Sequence, residues 1–202
     1  VSMDKDSIVI AADWNDDGNN NSLSTAYVFT RNTQGVWIEQ QKLTSSDKPE
    51  QIGRPISVSV DRDTIIMGVA LSNGGNGPIS GTAYIFTRNT QGVWTEQQKL
   101  TASDGAVGDT FGWSVDVTGD TAVIGRGAVG SDIPSSGSAY VLTRNAQDTW
   151  TAQQKLTASD KSPEDLFGWS VAMNGDTIVA GAMGVDTYGK NSGTAYVFTR
   201  NN

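Results

Sequence analysis

Thr25-Ala26-Tyr27-Val28-Phe29-Thr30-Arg31-Asn32 has the composition of a β-strand, with β-branched and aromatic residues in an unbroken run that ends on a turn former. It recurs with small changes at residues 82–89, 138–145 and 194–201, which sets Tyr27, Tyr84, Tyr140 and Tyr196 at spacings of 57, 56 and 56 residues. A second block, Gln-Gln-Lys-Leu-Thr, begins at Gln40, Gln97 and Gln153 with the same period. A third, Gly-Asp-Thr at Gly119 and Gly175, has degenerate copies beginning at Arg62 and Lys5. A fixed period of this length marks a repeat architecture, and it has to be settled before any single element is read. The 202 residues divide into about 3.6 units: 1–57, 58–114, 115–170 and a truncated 171–202.

Within a unit the apolar runs are four to seven residues long, rich in Val, Ile, Thr, Tyr and Phe, and separated by Gly, Asn and Asp clusters. Four strands fit each full unit. In the third they fall at 112–117, 122–125, 139–144 and 150–156, with tight turns at 117–121 and 144–149 and long connections at 126–138 and 157–166. Ala139-Tyr140-Val141-Leu142 is apolar on both alternating faces, which suits a sheet covered on both sides. No stretch reads as an amphipathic helix. Four-stranded antiparallel sheets repeated and packed face to face are the blades of a β-propeller, so the expected fold is all-β. A string of separate 56-residue domains without disulfides would leave each with a thin core, and a solenoid would use shorter repeats.

By alignment with the other units, Val1 matches Val58, Val115 and Val171, and Asn201 matches Asn89. The first unit is therefore expected to begin partway through its first strand, and the last to stop before its fourth. This chain would be a segment of a longer propeller, or be completed by a second copy, or expose a three-stranded blade as an edge open to pairing.

Composition narrows the chemistry. Fourteen Lys and Arg against twenty-two Asp and Glu give a formal charge of −8, which repels a phosphate backbone or an anionic bilayer, so neither nucleic acid nor membrane insertion is expected. The absence of Cys and His removes disulfides, thiol nucleophiles, imidazole-based triads and zinc sites built on those ligands.

Phe111-Gly112-Trp113-Ser114-Val115, followed by Gly119-Asp120-Thr121 and Val123-Ile124-Gly125, resembles the FG-GAP repeat of integrin α-subunit propellers and of many bacterial surface and secreted proteins. Phe167-Gly168-Trp169-Ser170-Val171 with Gly175-Asp176-Thr177 and Val179-Ala180-Gly181 is a second good copy, and Arg54-Pro55-Ile56-Ser57 opens a weaker one. The resemblance implies a seven-bladed propeller, usually extracellular, that binds protein or glycan ligands at one face and often carries calcium. The GAP element departs from the family pattern: Gly125-Arg126-Gly127, Gly181-Ala182-Met183, Gly68-Val69-Ala70 and Ala11-Ala12-Asp13 all lack its proline. In integrin-type blades the calcium hairpin lies between the first two strands. Here those turns, at 60–64, 117–121 and 173–177, are too short to wrap an ion, so the family's ligands map to no position.

A calcium-like string occurs elsewhere. Asp13, Asn15 and Asp17 occupy positions one, three and five of Asp13-Trp14-Asn15-Asp16-Asp17-Gly18-Asn19-Asn20-Asn21, with Gly18 at six; Asn19 and Asn21 add further oxygens. Calcium requires several oxygens presented around a sharp turn. Position nine is nevertheless Asn21 and position twelve Ser24, neither an acid, and the string fits a solvated Asn/Asp/Gly loop better than an ion site.

Asp6, Asp63, Asp120 and Asp176 recur in every unit and read as turn formers whose carboxylates bond nearby backbone N–H groups. The repeating Trp37, Trp94 and Trp150, and Trp113 with Trp169, read as blade-to-blade packing. Residues that differ between units make better functional candidates. They gather in loops 13–24, 70–81, 127–137 and 183–193 and in connections 45–54, 102–110 and 158–166, all at one end of the sheets. Trp14 and Tyr188 are the aromatics in those loops, placed to stack on a sugar ring or to pack locally. With no His or Cys and with the varying residues in loops, the expected function is non-enzymatic extracellular recognition or adhesion, binding protein or glycan through the long-loop face, with an assembly element whose incomplete last blade pairs with another chain as the alternative. An ion held by Asp13, Asn15 and Asp17 raises the melting temperature in millimolar calcium, and a chelator reverses the rise; no difference removes the site.

Overall fold

In the computed structural model, residues 1–12, 24–47, 56–72, 77–127, 136–187 and 189–200 are described. Fifteen strands form four antiparallel sheets. The first holds β1 (Ser2–Asp4), β2 (Ser7–Ala12), β3 (Thr25–Arg31) and β4 (Trp37–Thr44); the second, β5 (Ser57–Asp61), β6 (Thr64–Val69), β7 (Thr82–Arg88) and β8 (Trp94–Leu100). In the third are β9 (Phe111–Thr118), β10 (Thr121–Arg126), β11 (Ser138–Arg144) and β12 (Trp150–Leu156), and in the last β13 (Phe167–Asn174), β14 (Thr177–Ala182) and β15 (Thr194–Thr199). Every sheet is a meander in chain order. The expected strands of the third unit all appear, three of them one residue longer at one or both ends, and no helix occurs among the described residues.

These sheets are propeller blades set side by side in an open arc. The first strands touch from blade to blade, β1 on β5, β5 on β9 and β9 on β13, whereas the fourth strands β4 and β8 meet only lightly. The core accordingly lies between blades rather than within one. Val9, Val28 and Leu43 of the first blade pack on Ile65, Met67, Phe86 and Trp94 of the second. Ile66, Ile85 and Leu100, on the opposite face of that second blade, pack on Phe111, Val117, Leu142 and Trp150 of the third. A third cluster joins Val123 and Leu156 to Phe167, Ile178 and Ala180. β6 is therefore buried at every position, as a strand covered on both faces must be. Each fully buried Ile or Leu contributes about 2 kcal/mol, so a blade with one face bare forfeits several such contributions.

The Phe-Gly-Trp-Ser segment is the hinge of the second and third junctions. Phe111 and Phe167 are buried, and Gly112 and Gly168 take φ of +90° and +85°, a region closed to most side chains. Ser57 and Ser114 donate Oγ hydrogen bonds of 2.9 Å to the carbonyls of Gly112 and Gly168 in the next blade. Trp113 and Trp169 pack ring on ring at 4.4 Å. The glycine at the end of β10 sits against this turn: a Cβ on Gly125 would collide with the Gly168 carbonyl oxygen and with Ser114 Oγ, and Gly68 meets Gly112 and Ser57 in the same way.

At the turn end, the repeating Asp residues do something other than bond local backbone N–H groups. Asp6, Asp63 and Asp120 pair with Arg31, Arg88 and Arg144, and Arg200 lies 3.8 Å from Asp176. The Asp backbone carbonyls also accept the N–H of the same arginines. The second tight turn is fixed by asparagine: Asn32 Oδ1 accepts from Gln34 N at 3.0 Å and Val36 N at 2.9 Å, and Asn89 and Asn145 repeat the arrangement.

Gly125→Ala is expected to lower stability by about 3 kcal/mol, because the added methyl must displace the backbone of the next blade. Gly175→Asn should be close to neutral, since nothing lies within 4 Å of its Cβ position and Asn tolerates the left-handed φ of +56° found there. Urea unfolding of the two variants checks both.

Candidate functional site

All long connections emerge at one end of the blades, as antiparallel meanders require. They are knitted together there. Gly108 N donates to Pro78 O at 3.1 Å and Thr110 N to Ile79 O at 3.1 Å, which lays the connection between the second and third blades along the loop between β6 and β7. Gly184 N donates to Asp165 O at 3.0 Å, joining the corresponding segments at the last blade.

Beneath these loops each junction carries an aspartate–tyrosine pair, joined by a lysine at the first two. Asp47, Asp104 and Asp160, in the connections that enter the second, third and fourth blades, accept the phenol O–H of Tyr84, Tyr140 and Tyr196. Lys99 Nζ reaches Asp47 at 2.8 Å, and Lys155 reaches Asp104. Burial alone would raise the Asp104 carboxyl, but hydrogen bonds from Lys155 and Tyr140 and the nearby Arg126 charge outweigh it and hold the group at about 2. Burial pushes the Tyr84 phenol up and Asp47 pushes it further, while the bond to Asp160 carries Tyr196 up to about 12.

One residue of this network does not repeat. Arg126 stands where the other units have Ala12, Val69 and Ala182. Its guanidinium pairs with the buried Asp109, donates to Tyr140 Oη at 3.1 Å and lies 3.8 Å from Asp104. Nothing in its strand pattern distinguishes it as buried; the only sequence signal was that it breaks the repeat. With both carboxylates and the phenol engaged, the cluster ties the second and third blades together and leaves no base or nucleophile poised for chemistry.

Next to it, at the loop end of the last blade, Asp160, Glu164, Asp165, Asp186 and Lys190 line a polar cleft of about 320 Å³. Most of its carboxylates are already engaged: Asp160 by Tyr196, Asp165 by Ser162 N, and Asp186 by Asn191 N at 2.6 Å. Gly184 lies so close to the Glu164 carbonyl that no Cβ fits, which fixes the cleft's wall. Among the described residues no group of three or more acids is arranged to hold a metal ion. Asp13, Trp14, Asn15, Asp17, Asn19, Asn21 and Tyr188 lie outside the described residues.

The fold and its junctions define a β-propeller of four-stranded blades. The chain belongs to the FG-GAP repeat family, whose pattern matches residues 37–86, 94–142 and 150–198. Each matched unit runs from the fourth strand of one blade to the third of the next, so it spans a blade junction. Among curated proteins none is similar enough in sequence to count as a relative. No helix of the described residues is long and apolar enough to cross a membrane.

The depressed Asp104 group contributes stability above its unfolded value near 4, and that contribution is lost as pH falls toward 2. Asp104→Asn should therefore lower the melting temperature at pH 7 and lose most of its effect by pH 2. In an alkaline titration at 295 nm, Tyr84 and Tyr196 should ionise well above the ~10 of free tyrosine, and Asp160→Ala should return Tyr196 toward it.

Proposed function

We propose that this chain is a non-enzymatic recognition module, extracellular or at a cell surface, that binds a protein or glycan through the loop end of its propeller. The observation that carries this reading is the division of labour along the repeat. Side chains that recur in every unit are consumed in strands, turns and junctions, and those that do not recur gather at one end on a rigid support. The cleft beside Asp186 and Lys190 is polar, with hydrogen-bonding groups suited to hydroxyls or to a charged peptide. Family membership supports an extracellular setting, and the acidic charge argues against polyanionic partners. Catalysis by paired carboxylates is the weaker reading, since the buried Asp109 is neutralised by Arg126.

A screen of the chain against glycans and extracellular-matrix proteins tests the proposal. A saturable ligand is expected, with Asp186→Ala and Lys190→Ala each weakening it about tenfold while the melting temperature holds. A chain that binds nothing in such a screen is not a recognition module of this kind.

A further inference from the structure

The third and fourth blades carry the same polar arrangement beneath their loops, and it differs at one residue. In the third blade Asp109 is buried in the connection that leads into β9; its Oδ2 accepts from Ala106 N and its Oδ1 from the Arg126 guanidinium. That guanidinium also donates to Tyr140 Oη at 3.1 Å, and Tyr140 donates to Asp104 Oδ1 at 2.5 Å. Every acceptor returns 56 residues later. Asp165 is 6% exposed and its Oδ2 accepts from Ser162 N at 2.5 Å, while Tyr196 donates to Asp160 Oδ1 at 2.7 Å. The guanidinium does not return, because residue 182 is alanine. Among the described residues, Asp165 Oδ1 accepts from no group and Asp165 pairs with no cation.

Acid and arginine are otherwise kept or dropped together. The second blade has Val69 at the arginine position and Ile52 at the acid position, so it holds neither charge; the third holds both, and the fourth holds the acid alone. A buried carboxylate without a positive partner is costly, so the lone acid favours a cation brought from outside. There is room for one. Asp160 and Asp165 both stand in the wall of the loop-end cleft of about 320 Å³. Asp109 draws its cation from β10, the counterpart of β14, and every group concerned in the fourth blade lies between residues 160 and 196, so the missing charge turns on residue 182.

We infer that Asp165, Asp160 and Tyr196 form a subsite for a guanidinium group, which supplies to the fourth blade the charge that Arg126 supplies to the third. One edge of the guanidinium donates to Asp165 Oδ1 and the other to Tyr196 Oη beside the Asp160 carboxylate, as Arg126 does toward Asp109, Tyr140 and Asp104. A planar fork of N–H donors meets acceptors spread in this way, whereas a compact ammonium reaches one of them at a time. The inference rests on the loop-end reading and narrows its ligand to one that carries a guanidinium.

The test is a titration of the isotope-labelled chain, followed by amide NMR shifts, with arginine blocked at both ends as the probe. Saturable shifts at Asp165, Gly184 and Tyr196 are expected, with a Kd of roughly 1 mM for so small a ligand. Lysine blocked in the same way should bind at least fivefold more weakly. Free arginine should also bind more weakly, since its own carboxylate meets an acidic cleft; tighter binding of free arginine upholds the guanidinium site and assigns it to a small guanidino compound instead of a protein side chain. Asp165→Asn should weaken the probe at least tenfold, and Glu39→Gln on the distant β4 should leave it unchanged. Ala182→Arg carries the third blade's own solution into the fourth, so it should abolish probe binding and raise the melting temperature. Equal binding of the lysine probe, binding that survives in Asp165→Asn or in Ala182→Arg, or no saturable shift in the folded chain overturns the inference. A failed ligand screen leaves the probe's shifts standing, and absent shifts leave the screen standing, so the two readings fail separately.

Discussion

The second and third blades, and the third and fourth, approach closely because backbone meets backbone where they converge. Gly125 presses on the Gly168 carbonyl and Gly68 on that of Gly112, and in each case a serine of the inner strand bonds the same carbonyl. A side chain at that contact would wedge the blades apart and unpack the apolar layer behind it. The phenylalanine, tryptophan and serine around the glycine follow from the same constraint: one fills the junction, one stacks on its counterpart, and one supplies the hydrogen bond. The Phe-Gly-Trp-Ser string is thus the sequence trace of an interface, which is why the family's unit straddles two blades instead of coinciding with one.

Because the apolar layers lie between blades, the blades at the two ends of the arc each keep one bare face. Val197 is 66% exposed where its counterparts Val28 and Ile85 are fully buried. Trp37 is 37% exposed where Trp94 and Trp150, each with its main chain bracketed by a glutamine side chain of the preceding blade, are buried. Stability in such an array is a sum over junctions, as in other repeat proteins. The polar relay of Asp, Tyr and Lys and the arginine–tryptophan stacking add direction to the first two junctions, and an aspartate–tyrosine pair does so at the third.

Much of this was legible in the sequence, and what was not has a common cause. The period located every strand of the third unit to within two residues, and the two-sided apolar pattern of 139–142 announced a covered sheet. Recurrence assigns the tryptophans to blade packing; Trp94, Trp150, Trp113 and Trp169 pack there, and Trp37 does not. Recurrence in a tight turn points the aspartates at local backbone, but they hold arginines some 25 residues away. Recurrence shows that a position matters to the scaffold without naming its partner. The glutamine bracket joins residues 53 apart, Gln41 and Trp94, through a main chain that carries no sequence signal at all. Arg126 is the converse case: a charge at the end of an apolar strand, held there by Asp104 and Asp109 from one connection and Tyr140 from the next strand.

The claim that junctions, not blades, are the stabilising units is tested most directly by hydrogen exchange of the native chain. The account predicts slowest exchange in β6, β7, β10 and β11, which are flanked by junctions on both faces, and markedly faster exchange in β2, β3, β14 and β15. Uniform protection across all four sheets would show that each blade is stable by itself, and would contradict it.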